Sequence, residues 1–128
     1  DIPYVAQTSL HNPFDLIAKV KRAVETPGPA FVNVLVPCPL FWKIDPANQM
    51  EICQLAVDSK FWPVYEVANG EYSLSYEPKN PRRLEDFLRA QGRYAHLFKK
   101  GAERLDLVEA AQRDADESWA RLLKKCGR

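Results

Sequence analysis

Two runs without an alternating polar face stand early in the chain: residues 4–9, which open with the apolar Tyr4-Val5-Ala6, and residues 30–37. Runs without an alternating polar face are typical of strands buried on both sides in a parallel sheet. Between them, Asn12 and Pro13 signal a helix start, and residues 26–29 signal its end. The pattern predicts two parallel, buried strands joined by a helix over Pro13–Glu25, a βαβ unit with a right-handed crossover. Because parallel sheets are normally many-stranded, we expect the rest of this sheet upstream or in another chain.

The first two predicted helices carry apolar residues at three- and four-residue steps. In the first helix these residues share one face and the basic residues lie off it: Phe14, Ile17, Val20 and Val24 against Lys19, Lys21 and Arg22. The second helix starts at Asp45–Pro46 and covers residues 47–60, with three residues facing inward: Ile52, Leu55 and Ala56. Cys53 lies beside this stripe without a second cysteine nearby, which favours a packing role over that of a metal ligand.

A β-hairpin is predicted over residues 62–76, around Asn69–Gly70. The two-residue Asn-Gly loop favours a type I′ turn. It sets three pairs on one apolar face: Val67 with Tyr72, Tyr65 with Leu74, and Pro63 with Tyr76. The other face is polar, with Glu66, Ser73 and Ser75. Two strands alone are marginally stable, so the aromatic face packs either on the chain's own last helices or, as an arm, on another subunit.

The rest of the chain reads as a linker and further helices. Residues 78–83 form a polar linker in which Arg82 and Arg83 are solvated, and a short amphipathic helix over residues 84–91 ends at Gly92. A long charged helix over residues 102–125 has a narrow apolar seam of Leu105, Val108, Ala115, Trp119 and Leu122. We expect this seam and the hairpin to contact another subunit. The predicted division is residues 1–60 (α/β part), 61–98 (hairpin arm and short helices) and 99–128 (charged helix).

Composition excludes several classes of protein. The 18 basic and 17 acidic residues give a net charge of +1 and are spread along the chain, which argues against a nucleic-acid surface. No apolar run approaches the roughly 20 residues of a membrane span. The three cysteines are too scattered for a disulfide framework, so we expect a cytoplasmic protein with reduced thiols.

Cys38 is the residue with the most chemical interest. It follows the second strand and stands between Pro37 and Pro39, which stiffen the backbone around a thiol that suits a ligand or nucleophile. At the end of a buried strand a thiolate is costly unless a metal compensates its charge, and the alternative is an inert buried cysteine. His11 precedes the first helix, where a capping or surface role is favoured over catalysis. The chain contains no Gly-x-Gly-x-x-Gly, phosphate-loop or Gly-x-Ser-x-Gly motif.

Over residues 2–98 the sequence resembles a known subunit. The segment GPAFVNVLVPCPLFW, preceded by IPYVAQTS and followed by LEDFLRAQGRYAHL, is similar to the C-terminal part of the thiamine-diphosphate-binding β subunit of 2-oxoacid:ferredoxin oxidoreductases, the pyruvate:ferredoxin oxidoreductase family. The usual family motif is Ser-Pro-Cys-Pro-Thr-Gly-Trp. Four residues match it: Pro37, Cys38, Pro39 and Trp42. Three depart from it: Val36, Leu40 and Phe41, of which the bulky Phe41 suggests an altered turn or an unusual substrate or partner surface.

The resemblance implies an α/β fold that is the C-terminal portion of a parallel-sheet thiamine-binding domain, followed by a helix, a hairpin and C-terminal helices. It implies that Cys38 is the fourth thiolate of a four-iron four-sulfur (4Fe-4S) cluster. The other three cysteines and the residues for thiamine diphosphate and Mg²⁺ lie upstream in relatives, so no catalytic or cofactor-binding residue is assigned in this segment.

The implied activity is oxidative decarboxylation of a 2-oxoacid, with coenzyme A, to the acyl thioester and carbon dioxide. Electrons pass through iron–sulfur clusters to ferredoxin, and the enzyme works as a complex of subunits. Some family members lack the coenzyme A step, and the particular 2-oxoacid is left open. Two alternatives also stay open: a thiamine-dependent decarboxylase or synthase without a cluster, and a non-catalytic assembly subunit that docks through the hairpin and the last helix.

Overall fold

The structure is a computed structural model that describes residues 2–128. The elements in chain order are β1 (Tyr4–Ser9), α1 (Pro13–Glu25), β2 (Ala30–Leu35), α2 (Pro39–Trp42), a 3₁₀ turn (Pro46–Asn48), α3 (Gln49–Asp58), β3 (Tyr65–Ala68), β4 (Glu71–Leu74), α4 (Leu84–Arg89), a 3₁₀ segment (Gly92–Phe98) and α5 (Leu105–Lys125). The strands form one mixed sheet in the order β2-β1-β3-β4. The fold is therefore α/β, as predicted.

The predicted parallel pairing of the two strands in the βαβ unit is confirmed. β1 and β2 are parallel and in register from Tyr4 opposite Ala30 to Ser9 opposite Leu35. The helix between them has the predicted bounds, because Asn12 caps it: the Asn12 side chain accepts hydrogen bonds from the amides of Phe14 and Asp15, at 3.1 and 3.3 Å.

The predicted full burial of the second strand is wrong for this chain. β2 lies at the edge of the sheet and pairs only with β1 among the described strands. Phe31 is exposed and Val32 and Val34 are half-buried, so that only Leu35 of these apolar residues is buried. The strand has the composition of an interior strand but an edge position, so its apolar side chains are not all covered within the chain.

The apolar face of α1 also points away from the core. Phe14 and Val24 are 83% and 81% exposed, and Ile17 and Val20 are exposed as well. The side that meets the sheet is built around Lys19, which is 3% exposed. A helix with one face on a sheet and an apolar outer face is typical of elements that are covered on both sides.

The hairpin is part of the main sheet. β3 pairs antiparallel with β1, from Tyr4 opposite Ala68 to Gln7 opposite Tyr65. Two predicted cross-strand pairs, Tyr65 with Leu74 and Val67 with Tyr72, are confirmed. The third predicted pair, Pro63 with Tyr76, is not formed. Instead the Val64 carbonyl accepts hydrogen bonds from two successive amides, those of Ser75 and Tyr76, and the ladder ends there.

The seam of α5 is covered within the chain. Four of its residues are buried: Val108, Ala115, Trp119 and Leu122. Val108 and Ala115 belong to the same core as Phe87 of α4, and this core also contains Ile52 and Ala56 of α3, as predicted. Burial of this seam therefore requires no other subunit, contrary to our expectation. The helix begins at Leu105 rather than at residue 102, and Leu105 itself is exposed.

The end of α5 also reaches the aromatic face of the hairpin. Leu122 and Lys125 line a cavity of about 250 Å³ together with Tyr65 and Tyr72. The Lys125 ammonium lies 4.9 Å from the centre of the Tyr72 ring. Of the two alternatives for this face, the structure places Tyr65 and Tyr72 beside the end of the chain's own last helix. Within residues 2–128, no helix combines the length and apolarity needed to cross a bilayer.

Candidate functional site

Cys38 lies on a short turn between β2 and α2. Its backbone is extended, with φ −83° and ψ 116°, and its carbonyl accepts the first hydrogen bond of α2, from the Trp42 amide at 2.9 Å. The thiol is free and exposed. Exposure follows from the edge position of β2, so the burial cost that the sequence suggested for a Cys38 thiolate does not arise within this chain. The side chain is open to a ligand that approaches from outside.

The inner side of this turn is fixed by contacts from three other elements. The Gln49 side chain donates a hydrogen bond to the carbonyl of the buried Pro37, at 2.7 Å. The Trp42 ring meets Phe87 edge-on, with centroids 6.1 Å apart, and the Arg93 guanidinium lies over the Trp42 ring, 3.8 Å from its centroid. The turn that carries Cys38 is therefore held by α3, α4 and the segment after α4.

Gly92 allows the closest of these approaches. Its amide donates to the Lys43 carbonyl at 3.2 Å, and a Cβ atom at Gly92 would lie 2.8 Å from that oxygen. Lys43 closes α2 in the left-handed region, with φ 53°. Helix α2 therefore ends at Lys43, which the contact with Gly92 holds in place.

A second polar cluster lies at the end of β1. The Ser9 hydroxyl is 2.6 Å from Nδ1 of His11, and the His11 ring meets Tyr76 edge-on with centroids 5.4 Å apart. The Tyr76 hydroxyl donates to the Asp58 carboxylate at 2.8 Å. Burial lowers the pKa of His11, against the opposing effect of nearby carboxylates. Asn12 rather than His11 caps α1, and the contacts of His11 join β1 to the end of the hairpin, where Tyr76 in turn reaches Asp58 of α3.

Cys53 lies in the core and has the packing role that its sequence position suggested. Its side chain is fully buried, with the sulfur 3.8 Å from the Leu35 carbonyl oxygen. Burial raises the pKa of this thiol, which keeps it protonated and unreactive. Across residues 2–128 no group of three or more His, Cys, Asp or Glu side chains is placed to hold a metal ion. Any metal at Cys38 would therefore need its other ligands from outside the described residues.

Sequence reasoning identified Cys38 and missed the residues that hold its turn. Gln49, Gly92 and Arg93 come 11 to 55 positions later and have no local signal that connects them to it. The only hint was Gly92 itself, which the sequence assigned to the end of a helix. Lys19 was also missed, since a lysine between apolar positions of a helix reads as a solvated charge.

Comparison with known proteins finds relatives of two names, pyruvate synthase subunit PorB and ketoisovalerate oxidoreductase subunit VorB. The chain is 44% identical over 110 residues to pyruvate synthase subunit PorB of Methanosarcina barkeri, an alignment that covers 84% of this chain and 37% of the relative. It is 39% identical over 120 residues to PorB of Thermotoga maritima, covering 94% and 37%. It is 38% identical over 125 residues to ketoisovalerate oxidoreductase subunit VorB of Pyrococcus horikoshii, covering 96% and 38%. The chain thus spans a little over a third of the length of these relatives. No family model matches the chain.

Proposed function

We propose a function from the premise that this chain belongs to the β-subunit family of the 2-oxoacid:ferredoxin oxidoreductases. The chain forms the C-terminal part of such a subunit and takes part in the oxidative decarboxylation of a 2-oxoacid. The observation that carries the proposal is the exposed thiol of Cys38 on a turn held from within, in a chain with these relatives. The relatives' names point to pyruvate or a branched 2-oxoacid as substrate.

Cys38 is proposed to be one thiolate ligand of a 4Fe-4S cluster. When bound, such a cluster takes up and releases one electron at a time. The donor fits this group, because a thiolate is a soft ligand and the Cys38 side chain is accessible from outside. The three other thiolates come from residues that this chain does not contain.

The residues behind Cys38 are proposed to hold the ligand in place. Gln49 fixes the Pro37 carbonyl, and Arg93 and Phe87 hold the Trp42 ring. Loss of a contact that orients a metal ligand commonly lowers metal affinity by about 10- to 100-fold. In this proposal α3 and α4 therefore serve the site although neither carries a ligand.

The remaining parts of the reaction are assigned to other parts of the enzyme. Thiamine diphosphate and Mg²⁺ bind outside this chain, coenzyme A accepts the acyl group, and ferredoxin or a similar protein accepts the electrons. The enzyme is proposed to be a cytoplasmic complex of several subunits. The division of the chain into residues 1–60, 61–98 and 99–128 stays a prediction.

The test is a Cys38→Ser variant in the enzyme assembled from all its subunits. We expect a lower iron content, a weaker paramagnetic signal after reduction, and slower ferredoxin reduction, because an alcohol is a poor ligand for iron. Formation of the thiamine adduct should survive, since it needs no cluster. The control is Cys126→Ser, which replaces the half-buried thiol at the end of α5.

The outcomes separate the alternatives. Unchanged iron and unchanged ferredoxin reduction in Cys38→Ser would falsify the ligand assignment. A colourless assembled wild-type enzyme that still decarboxylates 2-oxoacids would favour the thiamine-dependent enzyme without a cluster. Absence of any turnover or cofactor from the assembled protein would favour an assembly subunit.

A further inference from the structure

The segment that begins at the end of α4 carries an excess of positive charge. Residues 87–102 contain four basic residues and no acidic one, although the whole chain has 18 basic and 17 acidic residues. One of the four, Arg89, forms an ion pair within α4. No ion pair formed within residues 2–128 involves the other three: Arg93, Lys99 and Lys100. The segment therefore presents cations that the described chain does not neutralise.

Arg93 is held in a fixed orientation. Its Nε donates a hydrogen bond to the side-chain oxygen of Gln91 at 2.9 Å, and the buried Gln91 amide donates in turn to the Phe87 carbonyl at 2.6 Å. The guanidinium lies 3.8 Å from the centroid of Trp42 and 4.7 Å from that of Tyr94. Within the described chain its two terminal nitrogens make no hydrogen bond. They form a planar pair of donors, which suits a carboxylate bound through two parallel hydrogen bonds.

Exposed apolar side chains accompany this cation on α2. The helix packs inward through Trp42, whereas Leu40 and Phe41 are exposed. Lys43 ends the helix, and its carbonyl accepts the amide of Gly92, the residue before Arg93. Apolar and aromatic residues bordered by arginine are the composition of a protein–protein interface. A small anion bound at the guanidinium would not require the two apolar side chains.

We propose that α2 and residues 91–100 form a docking surface for another chain of the enzyme, and that Arg93 pairs there with a carboxylate of that chain. Charge complementarity decides the occupant, because cations without partners inside this chain are matched by a surface that presents Asp or Glu. Leu40 and Phe41 pack on an apolar patch beside that carboxylate. The proposal rests on the proposed function only in requiring a complex of several subunits, and it needs no metal at Cys38.

The experiment is carbodiimide coupling in the assembled enzyme, a reaction that joins an amine to a carboxylate in contact with it as an amide, with loss of water. Arg93→Lys places an amine where the guanidinium lies. We expect mass spectrometry of the digested complex to find this amine joined to an Asp or Glu of another chain. The control is Arg113→Lys, the same substitution at an exposed position of α5, which should give no product with another chain.

A second measurement does not depend on the reach of the lysine. Arg93→Gln and, separately, Phe41→Ser should each weaken association with the partner chain by about tenfold or more, followed by size-exclusion chromatography over a range of concentrations. Sodium chloride should weaken the association of the wild type more than that of Arg93→Gln. Phe41 is exposed, so Phe41→Ser should leave urea unfolding unchanged. Leu107→Ser, at an exposed residue of α5, should associate normally.

Two results overturn the proposal. Coupling of the introduced amine only to carboxylates of its own polypeptide would assign this surface to the rest of the subunit. Normal association of both Arg93→Gln and Phe41→Ser, without coupling between chains, would leave it to solvent or a small anion. Failure of the proposed function is recognised by different measurements, the iron content and the ferredoxin reduction of Cys38→Ser.

Discussion

Lys19 shows how a single buried charge sets the orientation of α1. Its ammonium donates to the Asp15 carboxylate at 2.9 Å and to the Gln7 carbonyl of β1 at 3.1 Å. The Thr8 hydroxyl donates to the same carboxylate at 2.6 Å. Burial lowers the pKa of Lys19, and the Asp15 carboxylate opposes this effect. These polar contacts explain why α1 meets the sheet through its charged side and leaves its apolar side outside.

Replacement of Lys19 by methionine should destabilise the protein by about 2–3 kcal/mol, because it leaves the Asp15 carboxylate without its charged partner. Urea unfolding of the purified protein measures this change. The control is Lys21→Met, at an exposed position of the same helix, which should change stability by less than about 0.5 kcal/mol.

The double variant Lys19→Met/Asp15→Leu should recover part of the loss, since neither charge then remains unpaired. Equal stability of Lys19→Met and Lys21→Met would contradict the structural role assigned to this pair.

At the level of elements, the hairpin shows how a local turn and a distant strand cooperate. Asn69 and Gly70 both have positive φ, 49° and 86°, as a type I′ turn requires. The same turn is tied to the start of β1, because the Asn69 amide donates to the Pro3 carbonyl at 2.8 Å. The turn fixes the register of β3 with β4, and the pairing with β1 places the hairpin in the sheet.

Replacement of Gly70 by valine should cost about 1–2 kcal/mol, because a β-branched residue is strained at positive φ. A Cβ atom at this position meets no atom within 4 Å, so the loss measures backbone strain alone. Thermal and urea unfolding follow the change. Gly70→Asn is the matched control, since asparagine tolerates the left-handed region, and an equal loss in both variants would show that the turn is not the cause.

At the level of the whole molecule, the apolar residues divide into a covered core and an uncovered surface. The core lies among the end of β2, α3, α4 and α5. The uncovered surface comprises the outer face of α1 and the free edge of β2. Since the relatives are more than twice as long as this chain, we expect the remaining part of the subunit to cover this surface.

Replacement of Ile17 by glutamate should leave the chain folded and impair assembly. Ile17 is exposed on α1, so the unfolding free energy should change by less than about 0.5 kcal/mol. A charge in an apolar interface is costly, so the yield of assembled enzyme in size-exclusion chromatography should fall. Lys21→Glu, on the same helix but off the apolar face, should assemble as the wild type does. Normal assembly of Ile17→Glu would show that this face stays in solvent.

The sequence determined those features that depend on neighbouring residues. The bounds of α1, the type I′ turn and two of the hairpin pairs follow from a capping side chain, from residues that accept positive φ and from alternation along the strands. The parallel pairing of β1 with β2 follows as well, because one connecting helix leaves few other arrangements. Cys38 was identified by its prolines and by the resemblance of its surroundings.

Only the tertiary structure decided what each of these elements touches. The edge position of β2, the attachment of β3 to β1, and the burial of the α5 seam on α4 depend on contacts between residues far apart in the sequence. The exposure of Cys38 and its support by Gln49 and Arg93 are of the same kind. The hydrophobic pattern indicates which face of an element must be buried. It does not indicate which other element buries that face, because the hydrophobic effect is non-directional, and this depends on the packing of the whole chain.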